Sequence, residues 1–349
     1  MIFIGDIACP YNKAREFTEA VSKIEAFKDE VIVLNLEANI LDLSDEKRPV
    51  TLYNDPMVLD GFAGCKKVIV SLANNHMYDY PSMILPTCQR LENHGIGVFG
   101  FAEEDGTIKP YEFTENGQKM AFFGHCWRLY THSNCNTENS IRISDAYYDE
   151  FADMVIDYVK QHPDTKVYCF MHWNYDLEKF VMPMHVKFSR QLIDNGVEAV
   201  VGSHSHRPQG AEIYKDKAIA YGLGNFYLPS GQYFDGNLRY PECSQETYAL
   251  NLNEKGASLL WFETDKNGNA IELKGEIPFS DNRIAELSPF ARMNESEYRN
   301  YFAKNRSKKM LVPIFDEFRG KNYKRKEWFA LYRVKMIRAI LKLINRQFI

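Results

Sequence analysis

The sequence predicts a layered α/β fold with partly parallel sheets, and three observations carry the prediction. Short apolar runs alternate with helical spacing from Ile2 to Phe101, the pattern of strands joined by crossover helices. Between Lys166 and Phe226 two more apolar runs, ending in His172 and in His204-Ser205-His206, flank a helical pattern. Beyond Phe226, the runs TYALNL, ASLLWFET and AIELKGEI read as antiparallel strands, with turns at 254–256 and 266–269.

Taken in order, Ile2 to Ile4 form a short buried strand ending at Gly5-Asp6. Residues 13–28 have helical spacing, with Ala14, Phe17, Ala20, Val21 and Ile24 on one face. Val31 to Leu34 is a second strand and closes in Asn35-Leu36-Glu37. A polar loop at 42–49 and a short helical pattern at 57–64 lead to a third strand, Lys67 to Leu72, which ends in Ala73-Asn74-Asn75-His76. Pro81 to His94 is a helix stopped by Gly95, and Ile96 to Phe101 returns as a strand. Asn116-Gly117 between alternating segments predicts a hairpin turn. Ala146 to Gln161 is an amphipathic helix leading into the histidine-rich stretch. The body is expected to span 1–280, followed by a basic, mostly helical extension over 281–349.

At 349 residues, 45% hydrophobic and 26% charged, the composition is that of a soluble globular protein with a sizeable core. The net charge of -5 predicts no general attraction to nucleic acid. Residues 304–349 carry 14 Lys+Arg against 3 Asp+Glu, so the extension is at +11 and the remainder at -16. The cysteines (Cys9, Cys65, Cys88, Cys126, Cys135, Cys169 and Cys243) are odd in number and form no CxxC pair. A reducing compartment follows, and with no signal peptide or membrane span apparent the cytoplasm is the expected location.

The chemistry gathers at strand ends. Asp6, Glu37, Asn74-Asn75-His76, His172 and His204 with His206 each follow a separate apolar run. Any one of them is an ordinary polar residue closing a strand. Together they are the carboxylate, amide and imidazole donors of a dinuclear metal centre, where a bridging carboxylate holds two ions about 3.5–4 Å apart. Cys9 or His125 could supply a further ligand, but packing is the expected role for both. Trp127, Arg128, Trp173 and Tyr175 follow strand ends and could border a groove, although core packing is the commoner fate of such aromatics.

Six motifs occur in order: GD at Gly5-Asp6, NLE at 35–37, SLANNH at 71–76, HW at His172-Trp173, GSHSH at 202–206 and YGLGNF at 221–226. On these motifs the chain resembles the CapA-like family of capsule (poly-γ-glutamate) biosynthesis proteins, related to the calcineurin-like metallophosphatases. The resemblance spans Ile2 to about Ser280 and implies a four-layer α/β/β/α sandwich with a two-metal site. It implies Asp6 and His206 at one metal, Asn75, His172 and His204 at the other, and Glu37 as a bridge. His76 would be the general acid, and Asn74, Trp173, Arg207 and Asn225 would meet substrate. The ions would be one or two divalent transition metals such as Mn, Zn or Fe. Three departures stand out. Ala8 lies where the phosphatases carry a histidine, Asn174 replaces the glycine of HWG, and GSHSH replaces GHHPH. The first weakens the expected hold on one metal.

In the tail, Trp328, Leu331, Val334, Ile337, Ile340 and Leu341 share a helical face, with Arg333, Lys335, Arg338 and Lys342 largely elsewhere. Two partners fit that pattern: the protein's own acidic body, or an anionic membrane or capsule-synthesis complex. The leading functional expectation is a metal-dependent hydrolase or related transferase. Its substrate would be a phosphorylated small molecule or an acidic polymer intermediate of capsule or envelope synthesis, with γ-glutamyl amide cleavage as a variant. The alternative is a non-catalytic scaffold subunit with a degraded metal site.

Overall fold

Continuous apolar runs become strands buried on both faces, as parallel sheets require. In the computed structural model β1 (Ile2–Ile7), β2 (Val31–Leu36), β3 (Lys67–Ser71) and β4 (Gly97–Phe99) are parallel neighbours. Helices α1 (Ala14–Val21) and α2 (Ile84–Asn93) cross between them. A two-residue strand, β5 (Phe101–Ala102), follows. Next comes the hairpin of β6 (Tyr111–Glu115) and β7 (Gln118–Cys126), whose Asn116 and Gly117 both have positive φ (49° and 80°), the turn expected of an Asn-Gly pair. After α3 (Arg128–Thr131), β8 (Arg142–Ile143) pairs with β5. Then α4 (Tyr148–Gln161), β9 (Thr165–His172), α5 (Pro183–Asp194) and β10 (Ala199–Ser203) form a parallel crossover unit. The chain continues through β11 (Ala211–Tyr214), β12 (Lys217–Ala220), β13 (Asn225–Tyr227), β14 (Glu246–Asn253), β15 (Gly256–Thr264) and β16 (Ile271–Ile277). It ends in α6 (Asn282–Leu287), α7 (Glu295–Asn305) and α8 (Gly320–Leu343). The structure describes residues 1–42, 51–131, 141–268, 271–309 and 312–343; most of the polar loop at 42–49, and Cys135, lie outside them.

One sheet runs β16-β15-β14-β1-β2-β3-β4, with β13 pairing β1; the other runs β11-β12-β10-β9-β7-β6. Side-chain alternation sorts the core into three interfaces. Phe3, Val33 and Ile69 of the first sheet meet Phe122, Tyr168, Phe170 and Val201 of the second in the middle layer. The opposite faces of β1 and β2, through Ile2, Ile4 and Leu34, pack under Phe17 and Leu91 of α1 and α2. Val167, Cys169 and Met171 of β9 pack under Phe151, Phe188, Phe302 and Ala330 from α4, α5, α7 and α8. The architecture is therefore an α/β/β/α sandwich. Each fully buried aromatic in the middle layer contributes roughly 1.5–3 kcal/mol.

Two helices are shorter than their patterns. α1 stops at Val21, and the chain turns through a 3-10 segment at Glu25–Phe27 that still buries Ile24 and Phe27. The start of the second, Pro81–Met83, is likewise a 3-10 turn, with proline at a first-turn position where its missing N–H costs nothing. Residues after 280 pack into the outer layer through Phe290, Tyr298, Phe302, Phe315, Phe318 and Tyr323. Among the described residues six cysteines are free thiols, and no helix is long and apolar enough to cross a membrane.

Candidate metal centre

Ligands of open α/β sheets sit beyond the carboxyl ends of the strands, and there the donor residues converge. Asp6 lies near the end of β1, Asn35 in β2, Asn75 after β3 and His172 at the end of β9, while His204 and His206 follow β10 and Asn225 opens β13. Two glycines let these strand ends approach. A Cβ on Gly5 would stand 1.9 Å from Gly224 O, and one on Gly202 would stand 2.0 Å from Tyr221 O.

Glu37 is completely buried at the centre of the cluster. Its Oε2 accepts a hydrogen bond from Asn35 Nδ2 at 2.5 Å, and the same amide donates to Asp6 Oδ1 at 2.7 Å. Glu37 Oε1 has no hydrogen-bond donor, and lies 3.5 Å from His172 Nε2 and 3.8 Å from His76 Nε2. His172 Nε2 also lies 2.9 Å from Asn75 Oδ1 and 2.9 Å from His204 Nδ1. Asp6 Oδ2 accepts from the His204 backbone N–H at 3.0 Å and lies 3.7 Å from His206 Nδ1, which is 2.8 Å from Asn225 Oδ1. Asp6, Glu37 and His172 place donor atoms within 4.8 Å of one another, and so do Glu37, His204 and His206. Glu37 belongs to both groups. Of the pairings the resemblance implies, Asp6 lies against His206, and Asn75 and His204 each contact His172.

The electrostatics suit a cation. Burial and the neighbouring Asp6 push the Glu37 carboxyl well above the usual carboxylate range, against the opposing pull of His76 and Asn35. Burial, with His204, His206 and His76 beside it, holds His172 neutral, which is the metal-binding form of imidazole. A buried carboxylate with an undonated oxygen, facing neutral imidazoles, is a donor set that a divalent metal would complete. His76 sits at the rim, with Nδ1 2.8 Å from Asp79 Oδ2. Burial by itself would lower its pKa, but Asp79, and Glu37 farther off, raise it to about 9.

Backbone strain concentrates here. Ala38 (φ 87°), Asn174 (71°), His204 (80°) and His206 (53°) all occupy the left-handed region. Each such residue costs on the order of 1–3 kcal/mol and persists only where its surroundings hold it. Asn174 explains one departure from the family pattern: asparagine is the side chain that best tolerates a conformation otherwise left to glycine.

Several residues expected at the site stand elsewhere. Trp173 is fully buried, stacks on His185 (centroids 4.4 Å apart) and donates to Tyr221 O at 2.8 Å. The side-chain alternation that delivers His172 to the site turns Trp173 into the outer core. Asn74 is also fully buried, and its amide N–H groups hold Leu36 O (2.8 Å) and Asn35 Oδ1 (3.2 Å), so it shapes the β2 loop. Trp127 and Tyr175 are core residues, and Arg128 faces Glu327 of α8 (3.5 Å) and Tyr147 (4.4 Å). Cys9 and His125 are buried away from the donor cluster, His125 against Tyr148 and Phe151. Ala8 sits in a small apolar cluster with Tyr53 and Tyr233. Arg207 directly follows His206 in the chain and is half-buried, its Nε without a hydrogen-bond partner.

Other residues at the site carried no signal of their own in the sequence. Asp176 Oδ1 lies 2.9 Å from His204 Nε2, and Lys308 Nζ, from the segment before α8, lies 3.8 Å from Asp176 Oδ2. The Tyr130 ring is 4.0 Å from His204 and the Tyr240 ring 5.1 Å from His206. Asn35 was visible within its motif, but its bridge between two carboxylates was not.

The family model described as "Bacterial capsule synthesis protein PGA_cap" matches residues 2–230, which include every donor at the centre. The chain belongs to that family. Two relatives of this PGA_cap protein are the "Probable polyglutamine synthesis accessory protein" of Mycobacterium tuberculosis and the "Capsule biosynthesis protein CapA" of Bacillus anthracis. The first is 25% identical over 240 residues, covering 63% of this chain and 61% of the relative. The second is 24% identical over 171 residues, 47% of this chain and 40% of the relative. The PGA_cap chain thus matches less than two thirds of each relative's length. Among solved structures, a hypothetical protein from Thermus thermophilus aligns with TM-score 0.44 at 16% identity, over 79% of this chain and 99% of that one.

Proposed function

We propose that this PGA_cap protein is a metal-dependent hydrolase acting on an anionic substrate, either a phosphate ester or an acidic polymer intermediate of capsule or envelope synthesis. One observation carries the reading: Glu37 stands in both donor groups and keeps an oxygen that no donor satisfies. A buried acceptor left unmade costs about 1–3 kcal/mol, so its retention makes sense where a cation fills it. Asp6 and His206 would hold one ion and Asn75, His172 and His204 the other, with Glu37 shared between the two groups. Bound there, divalent metals would supply Lewis acidity and an activated water. His76, whose pKa Asp79 raises, would give a proton to the leaving oxygen or nitrogen. Arg207 and Lys308 favour an anionic substrate at the rim. The buried free thiols support a reducing compartment such as the cytoplasm.

A second reading has its own support. Ala8 puts an apolar cluster where a further imidazole would stand, which favours a binding subunit holding one ion or none. Metal analysis of protein purified without chelator separates the two, followed by a phosphoester and γ-glutamyl substrate panel with manganese or zinc. About two equivalents of metal, lost in a His204→Ala/His206→Ala variant, together with turnover, support the hydrolase. Folded wild-type protein with no metal after reconstitution and no turnover assigns the scaffold role.

A further inference from the structure

The last helix has two faces that ask for different neighbours. Tyr323, Glu327 and Ala330 of α8 are buried against the domain. Tyr323 packs its ring on Tyr147, Tyr148 and Phe315, and Glu327 meets Arg128. The other side presents Trp328, Tyr332, Met336 and Ile340, four residues apart and exposed by 66, 51, 47 and 52%, with Phe329 beside them at 45%. Among the described residues nine large apolar side chains are exposed, and five of them lie on this helix. Trp328 and Tyr332 stack on each other, with centroids 5.6 Å apart, and nothing described covers either ring.

The charges around that stripe identify its neighbour. Lys321, Lys324, Arg325 and Lys335 are exposed on the same helix. Over 320–343 the sequence carries eight Lys+Arg and one acidic residue, Glu327, which faces inward. We propose that this face of α8 rests on an anionic lipid surface. Its aromatic and aliphatic side chains would enter the headgroup boundary, and its Lys and Arg side chains would lie among lipid phosphates. The helix is not apolar enough to span a bilayer, so it lies in the interface plane. A second copy of the chain is the poorer occupant, because a symmetric contact would press two strongly basic helices together. Docking of Tyr323, Glu327 and Ala330 on the domain anchors the first part of the helix, which lowers the ordering needed there on binding.

The test uses the full chain and large vesicles of phosphatidylcholine, either alone or with about one third phosphatidylglycerol. Trp127, Trp173 and Trp261 are at most 2% exposed, so Trp328 alone among the four tryptophans can meet lipid. The expected result is co-sedimentation with the anionic vesicles, weakened by salt, and quenching of Trp328 emission by brominated lipid. A Trp328→Gln/Tyr332→Gln/Met336→Gln variant should keep its circular dichroism and melting temperature, since all three side chains are exposed, while its vesicle affinity falls about tenfold or more. Equal binding to neutral and anionic vesicles, unchanged binding by the variant, or no binding at all would overturn the proposal. Self-association that the variant abolishes, without vesicle binding, would assign the stripe to a second copy and overturn it equally. None of these readouts depends on metal or hydrolase activity.

Discussion

Glu37 and His172 come from different sheets, and their Oε1 and Nε2 atoms meet at 3.5 Å. Neither residue can form half of a metal site without the sandwich that brings β2 and β9 together. Their contact sets the first prediction. Glu37→Gln keeps the shape of the side chain but removes a carboxylate shared by both donor groups. Metal stoichiometry should fall from about two to at most one, and remaining affinity by about 10–100-fold, read by calorimetric titration with manganese or zinc. Unchanged stoichiometry in a folded variant would remove Glu37 from the bridging position.

Asn35 holds Asp6 and Glu37 with one amide nitrogen. Asn35→Ala leaves two buried carboxylates facing each other without that donor. Metal-free protein should lose about 1–3 kcal/mol in urea unfolding, and added divalent metal should restore part of it. A loss that metal does not touch would make Asn35 a purely structural residue.

His76 is assigned a proton rather than a metal. His76→Gln should lower kcat by about 10²–10⁴-fold on a substrate with a poor leaving group and leave metal content unchanged. A substrate whose leaving group needs no proton should be much less affected. Loss of metal in this variant would move His76 into the ligand set.

Two buried histidines outside the centre set an acid limit on the fold. Burial lowers His125 to about 4 and, with His125 nearby, lowers His185 well below its ordinary value. Both folded-state pKa values are depressed, so their contribution is complete above the unfolded value of about 6.5 and is lost as pH falls toward the folded one. His125 alone accounts for about 3 kcal/mol between pH 6.5 and 4. Urea unfolding midpoints should fall over that window, and His125→Gln should flatten the fall. A wild-type midpoint independent of pH from 6.5 to 4 would show that these imidazoles are not held neutral.

The sequence by itself determined the strands and what stands at their ends. Apolar runs such as Val31 to Leu34 and Val167 to Met171 have only one stable setting, buried on both faces, so Glu37 and His172 had to emerge at edges. The Asn116-Gly117 turn was legible for the same local reason, since φ above zero at both positions selects those residues. Tertiary structure decided which ends meet and which way each side chain faces. Trp173 follows His172 directly, yet the strand's period of two sends one to the metal donors and the other to the outer core. Asn74 and Asn75 are likewise adjacent, and only their contacts show that one pins a loop while the other reaches His172. Asp176 and Lys308 lie 132 positions apart, and nothing local marks either as part of one rim. The tail's spacing predicted an amphipathic helix, but placed Trp328 with Leu331 and Val334; the sandwich buries Tyr323, Glu327 and Ala330 instead and leaves Trp328 outside. Local chemistry fixes where a side chain leaves the backbone, and only packing between distant segments fixes what it meets.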